Sequence, residues 1–454
     1  MQIDRTERPS ASGQISFEIP KIIDDKLTDE LNLFYTVKKD LPIVRINLLV
    51  NSGSFFDPPH KSGLSNLLTM CIDEGAGKYN SLQLADEFEM LGAHFSVASD
   101  LDTTIVSMQV LKENFNQAIK LFASVITEPH LSEDDFNREK RKVIVRINQL
   151  KLKPDYVADI SFEHFLFEKE CPYSYPVSGF QKSVENIFHQ DVREYYQQKF
   201  CPLNSVLIAV GDIDPKSLKE ILSDEFGNWR TTPAINKPAF NLYNQKNKIF
   251  IINKPESVQT EIRIGQLSSK RSESDFFQKQ IINLVFGGQF SSRLNLNLRE
   301  KNGYTYGINS SFSYLKEAGY FKVSTSVAIE FTSNALKEIF SELKKIKDGI
   351  SSDELDFAKS SITKRFPSNF ETYRQIASNI IVKVFFNLSD DFFESYLQKV
   401  KFVTLDDVNN IAYKYFNNNE LLTVLVGDSQ KIIEQMDSDE FGEIEIIEFD
   451  SIFD

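Results

Sequence analysis

Three observations predict an α+β fold built from two related units, each a mixed β-sheet with helices packed on one side. The chain repeats itself with a period near 216 to 220 residues, strands and helices come in groups rather than in strict alternation, and 454 residues are too many for one ordinary core. Apolar residues make up 41% and charged residues 26%, the balance of a packed globular protein. Thirty-eight phenylalanines against one tryptophan read as core filling.

The repeat is clearest in two stretches. Val184 to Phe200 leads into NSVLIAVGDI (Asn204 to Ile213), and Phe402 to Phe416 leads into ELLTVLVGDS (Glu420 to Ser429). Asp191, Val192, Phe200, Val210, Gly211 and Asp212 return as Asp407, Val408, Phe416, Val426, Gly427 and Asp428, all at an offset of 216. Both copies read as an amphipathic helix, a short polar turn, a buried strand of β-branched and aliphatic residues, and a Gly-Asp that opens the next turn. A second echo sets Leu131-Ser-Glu-Asp-Asp beside Ile350-Ser-Ser-Asp-Glu-Leu, each before a long charged helix. Ser132 and Ser352 are the expected N-caps, with acids in the first helical turn.

In order, the first half reads as strands Leu31 to Val37 and Pro42 to Val50, helices Ser62 to Ile72 and Leu82 to Leu91, and alternating strands His94 to Ser99 and Thr104 to Val110. Four helices, the strand Ser205 to Val210 and a last helix complete it. The Pro-containing stretch Thr231 to Lys246 is the expected linker, after which strands Lys248 to Asn253 and Gln259 to Gly265 restart the order. The expected domains are therefore 1–235 and 236–454. The acidic tail Met436 to Asp454 reads as a terminal edge strand or a frayed end, with a partner-docking segment as the alternative.

A formal charge of −14 argues against nucleic-acid or anionic-membrane partners, which need clustered Lys and Arg. The one basic stretch, Arg138 to Lys153, reads as a solvated helix face, with a partner-facing or peptide-facing surface as the alternative. Cys71, Cys171 and Cys201 are odd in number and lack CxxC spacing, so neither a disulfide framework nor a thiolate zinc site is expected. No run of 18 apolar residues occurs, so no membrane span is expected, and the N-terminus lacks a basic segment followed by an apolar one. The expected location is cytoplasmic, or periplasmic if the N-terminus has been trimmed.

No two of His60, His94, His130, His164 and His189 stand one helical turn apart, so the helical His pair of a zinc hydrolase is missing. No GxSxG elbow is present either. Gly53 to Ser96 nevertheless resembles the first active-site region of the insulinase and pitrilysin peptidase family, in its mitochondrial-processing-peptidase-like branch. Active members carry a His-x-x-Glu-His helix directly after a Gly-Leu-Ala-like lead. Here the lead is Gly63-Leu64-Ser65, and the three functional positions fall on Asn66, Thr69 and Met70. The family's remaining ligand, a Glu, falls near Ile147, in a stretch with no carboxylate between Val143 and Gln149. An amide, a hydroxyl, a thioether and an aliphatic side chain do not supply the donors zinc needs.

A second segment, LVFGGQFSSRLNLNLREKNGYTYGINSSF (Leu284 to Phe312), is similar to the family's C-terminal-half signature, in which an Arg and a Tyr hold the substrate. By position these are Arg299 and Tyr304, with Arg293 bracing the turn and Gly303 at the corner between a helix end and a strand start. A fixed guanidinium and a phenol can donate to a carbonyl oxygen that gains negative charge during amide hydrolysis, or pin the adjacent backbone. The plainer alternatives are a surface ion pair of Arg299 with Glu300 and strand-face packing of Tyr304 and Tyr306.

The resemblance covers about Phe17 to Asp428 and implies two α+β domains arranged as a clamshell around a peptide chamber. In the two-subunit branch one chain carries the zinc helix and a sister chain the Arg and Tyr. The implied function is a zinc-less partner subunit that binds no metal itself and meets a zinc-carrying His-x-x-Glu-His subunit of the same fold, with peptide as substrate. The alternative is a non-proteolytic scaffold or peptide-binding protein, like the family's core subunits of respiratory complexes. A self-sufficient enzyme with another nucleophile has no visible constellation to support it.

Overall fold

The computed structural model describes residues 17–167, 169–230, 238–242, 247–416, 420–436 and 441–453. The first half contains strands β1 (Ile23–Lys26), β2 (Asn32–Val37) and β3 (Ile43–Val50), helix α1 (Leu64–Cys71), and a small ribbon of β4 (Gly75–Ala76) and β5 (Tyr79–Asn80). Helix α2 (Ser81–Met90), strands β6 (His94–Ser99) and β7 (Thr104–Leu111), and helices α3 (Phe115–Thr127), α4 (Glu133–Leu150) and α5 (Pro154–Leu166) follow. Helices α6 (Gln181–Glu185) and α7 (His189–Lys199), strand β8 (Ser205–Gly211) and helix α8 (Pro215–Phe226) close the half.

The second half starts with β9 (Lys248–Asn253), β10 (Gln259–Ser268) and α9 (Phe276–Phe286), then a π-helical segment Asn295–Lys301. Strands β11 (Ile308–Tyr314) and β12 (Gly319–Ala328) and helices α10 (Thr332–Lys347), α11 (Ser352–Arg365), α12 (Tyr373–Phe385), α13 (Phe392–Phe402) and α14 (Leu405–Tyr415) come next. Strand β13 (Leu422–Gly427), helix α15 (Ser429–Ile433) and strand β14 (Glu443–Glu448) end it.

Two mixed six-stranded sheets result, with orders β1-β2-β8-β3-β7-β6 and β14-β9-β13-β10-β12-β11. The buried Val-Gly strands sit at the same place in each. Ala209 of β8 faces Tyr35 in parallel β2 and Ile46 in antiparallel β3, and Leu425 of β13 faces Ile251 in parallel β9 and Ile262 in antiparallel β10. Only the outer edges differ. β1 runs antiparallel to β2, whereas the acidic tail supplies β14 parallel to β9. Residues 231–237 and 243–246 of the expected linker lie outside the described residues, and the boundary between sheets falls between α8 and β9.

Each sheet packs its own half's helices on one face, around cores that include Leu48, Leu68 and Phe122 in the first half and Ile264, Phe286 and Leu343 in the second. The opposite faces are covered by exchange. α5 of the first half lies across β13 and β10, burying Val157, Ala158 and Phe162 against Phe250, Val424 and Val426. α12 of the second half lies across β8 and β3, burying Ile376, Ala377 and Ile380 against Leu49, Ile208 and Val210. Strands apolar on both faces were legible as continuous hydrophobic runs, but which helix covers the second face was not.

One expected cap moves by a residue. Ser132 caps α4, its side chain accepting the N–H of Asp135, but α11 is capped by Ser351 rather than Ser352. Ser351 stands three residues before Glu354, so hydroxyl and carboxylate each take the other residue's N–H, a reciprocal pair that Ser352 lacks the spacing to form.

Candidate functional site

Helix α1 starts where the buried carboxylate of Asp57 accepts the N–H groups of Gly63 (2.9 Å) and Ser65 (3.0 Å) and the Ser65 hydroxyl (3.2 Å). Burial pushes that carboxyl up to about 8, against the donors of Gly63, Leu64 and Ser65 that pull it down. Leu64, Leu67, Leu68 and Cys71 recur at helical spacing and are buried in the first core. Asn66 and Met70, four residues apart, are thereby left half-buried on the other face, and both line a cavity of about 630 Å³. Thr69 does not line it. Its side chain is buried, and its hydroxyl donates to the Asn66 carbonyl at 2.7 Å.

The second wall is α4, whose residues Glu139, Val143 and Ile147 fall on one face at intervals of four and are all buried. The third is α5, which contributes Tyr156, Asp159, Ile160 and Glu163, and the loop Pro176 to Ser178 closes the end. Tyr156 and Ser178 share a hydroxyl hydrogen bond of 3.1 Å there. Most of the lining is apolar, with the exposed side chains of Lys142 and Arg146 at its margin.

Three acids border this space, and each is already engaged. Glu139 is 4% exposed and receives Arg138 at 3.0 Å and Lys142 at 2.8 Å on one oxygen. Asp159 holds Arg263 and Lys322 of the second sheet, both at 2.8 Å. Burial raises the Asp159 carboxyl, but those two cations outweigh it and hold it below the usual range. Glu163 accepts the Tyr320 hydroxyl at 2.9 Å, and burial raises its carboxyl.

This donor set does not fit zinc. Asn66 and Met70 present an amide and a thioether, Ile147 is aliphatic, Thr69 points away, and the buried carboxylate that lines the cavity, Glu139, is neutralised by two cations. Among the described residues no group of three His, Cys, Asp or Glu side chains is gathered as for a metal ion.

The Arg-Tyr corner is built elsewhere. Asn295 fixes the π-helical segment to β11, its amide donating to the Ile308 carbonyl at 2.7 Å, and Asn297 donates to Glu338 and Glu342 at 2.8 Å each. Arg293 braces the approach, as expected, with a bidentate pair to Glu354 at 2.6 Å on both arms. Gly303 adopts φ +66°, and the chain turns so that the Tyr304 N–H reaches the Leu298 carbonyl at 2.9 Å. β11 begins four residues after Tyr304, so the tyrosine belongs to the corner and not to the strand. Its ring stacks on Phe331 at 5.1 Å, and among the described residues its hydroxyl has no hydrogen-bond partner.

Arg299 lies over the ring of Phe290 at 4.0 Å and near Glu300 at 3.7 Å, with 32% of its side chain exposed. Tyr306 is 98% exposed, which removes strand-face packing as its role. No residue between Leu284 and Phe312 lines the cavity beside Asn66, Met70 and Ile147. Within one chain the two predicted sets of site residues are therefore separate.

Residues 35–167 match the model described as insulinase (peptidase family M16), and residues 186–362 match the peptidase M16 inactive domain, together well over half of the chain. The chain belongs to the M16 family. A curated relative from Rickettsia bellii, named an uncharacterized zinc protease, is 25% identical over 320 residues, 70% of this chain and 76% of its own length. A Helicobacter pylori relative named non-peptidase homolog YmxG is 22% identical over 395 residues, 86% of this chain and 90% of its own. A crystal structure of a peptidase M16 inactive domain from Pseudomonas fluorescens superposes with a TM-score of 0.84 at 24% identity, covering 89% of this chain and 98% of that one.

For an M16 chain, the residues that sequence reasoning missed are the acids around the cavity. Glu139 shares a face with Val143 and Ile147, and that spacing alone would have placed it beside the zinc-motif positions. Asp159 and Glu163 stand four apart on α5, but their role depends on the exchange of that helix onto the other sheet, which no local pattern announces.

Proposed function

We propose that this M16 chain is a zinc-less partner subunit, which supplies Arg299 and Tyr304 to the active site of a separate zinc-carrying chain of the same fold for the hydrolysis of peptides. The observation that carries the reading is the contrast between its two sites. The zinc-motif positions hold an amide, a thioether and an aliphatic side chain in a cavity whose bordering acids are already engaged, while the Arg-Tyr corner keeps a braced turn, a ring-stacked guanidinium and a phenol hydroxyl with no hydrogen-bond partner among the described residues.

A guanidinium held over Phe290 and a phenol held over Phe331 lose little freedom when they engage a peptide carbonyl, so they stabilise developing negative charge with donors already in place. Chemistry on that carbonyl then falls to the partner's zinc and its bound water. The name of the Helicobacter pylori relative, a non-peptidase homolog, supports a chain that does not cleave unaided. Co-expression with a His-x-x-Glu-His chain, followed by purification through a tag on one of them, tests the pairing. Recovery of both chains with peptide cleavage supports it, and recovery of this chain alone favours the scaffold reading.

A further inference from the structure

The loop between β10 and α9 buries a positive charge that no acid among the described residues neutralises. Arg271 is 7% exposed and lines a cavity of about 540 Å³ between the start of α9, the turn after α12 and the junction of α13 with α14. Its guanidinium carbon lies 3.2 Å from the centre of the Phe276 ring, 5.0 Å from that of Phe392 and 5.7 Å from that of Tyr314. Among the described residues its side chain makes no ion pair and no hydrogen bond. Three other buried cations are paired, Arg263 with Asp159 and Glu261, Lys279 with Asp275 and Lys383 with Asp390, whereas Lys199 is, like Arg271, held over a ring, Phe56 at 4.0 Å, with no ion pair among the described residues. Burial pushes the Arg271 guanidinium down to about 10, with only tyrosines acting against it.

Ring faces attract a guanidinium but accept none of its in-plane N–H bonds, so its planar fork is left without a protein acceptor and open to the cavity. The other charges at the cavity do not fill that need. Asp407 is committed to capping α14, taking the Thr404 N–H at 2.8 Å and hydroxyl at 2.7 Å on one oxygen, and Glu273 is exposed. Lys399, also exposed, adds a second cation, and Phe277, Phe392 and Phe402 supply apolar walls.

We propose that this cavity binds an organic carboxylate carried on an apolar or aromatic body, its two oxygens on the Arg271 fork and its body among those rings. A planar carboxylate matches the fork in both arms, and burial beside aromatic walls favours a ligand whose other end is apolar. The site is independent of the Arg299 and Tyr304 corner and does not require the partner subunit.

Calorimetric titration of the full chain with N-acetyl-phenylalanine, its amide and inorganic phosphate tests it. The carboxylate is expected to bind saturably, and the amide about tenfold more weakly or worse. R271M should lower carboxylate affinity by about tenfold or more while leaving the melting temperature near that of the wild type, since removing an unpaired buried charge does not strand a partner. Should R271M fail to fold, K399A and F402A decide, because both side chains are exposed and each loss should weaken the carboxylate several-fold. Absence of saturable binding to the wild type, equal affinity for acid and amide, binding of phosphate alone, or unchanged affinity in these variants would overturn the assignment.

Discussion

The ring of Phe162, on α5 of the first half, rests against Gly265 in the second sheet so closely that a β-carbon there would stand 2.7 Å from its tip and 2.0 Å from the Phe321 carbonyl. The pairing of β10 with β12, whose Phe321 carbonyl is the nearer obstacle, requires a glycine at this point, and the same glycine seats the Phe162 ring of α5. Gly265→Val should destabilise the chain by about 3 kcal/mol through overpacking against backbone that cannot yield. Denaturant unfolding measures it, and a loss below about 0.5 kcal/mol, the scale of an ordinary surface change, would show that the contact is not tight.

Asp159 links the same two halves through Arg263 and Lys322, and its carboxyl is held below the usual range despite burial. A lowered folded-state carboxyl stabilises the fold above its unfolded value of about 3.9, and that contribution fades as pH falls through the folded value. Asp159→Asn should therefore cost about 1 to 2 kcal/mol at pH 7, discounted because the side chain is 44% exposed, and progressively less as pH falls from about 4 through the lowered folded value. Parallel stability curves for variant and wild type across that range would contradict the assignment.

Glu354 serves two ends at once, closing the cap of α11 on the Ser351 N–H and holding both arms of Arg293. Glu354→Ala should cost about 2 kcal/mol, from lost cap and lost bidentate pair together. Arg293→Ala should cost less, because the cap survives. Equal losses in both variants by thermal unfolding would show that the cap contributes nothing.

Much of the architecture was legible because it is written in local periodicity. Strands such as His94–Ser99 and Lys248–Asn253 fall where alternation and continuous apolar runs put them, and α1 buries the Leu64, Leu67, Leu68 and Cys71 face that its spacing announces. The cap of α11 was placed one residue late because two adjacent serines compete and only the reciprocal acid at Glu354 separates them. Long-range relationships stayed hidden. Nothing near Asp159 indicates that its counter-ions lie on strands more than a hundred residues away, and nothing near Arg271 indicates that its neighbours are rings rather than acids.

The corner also carries a graded expectation. In a complex with a zinc-carrying chain, Arg299→Ala should retain assembly but lower kcat/KM by about 100-fold, the scale of a lost oxyanion donor, and Tyr304→Phe should lower it by about tenfold. Gel filtration and peptide cleavage on the same preparation separate loss of assembly from loss of rate. Wild-type rates in both variants would make the corner architectural.

The most direct test combines metal analysis with a peptide-cleavage assay on this chain alone and on its mixture with a zinc-carrying chain of the same fold. The isolated chain should hold no stoichiometric zinc and cleave nothing, and the mixture should cleave. Tightly held zinc at one ion per chain, or full cleavage by the isolated chain, would contradict the account.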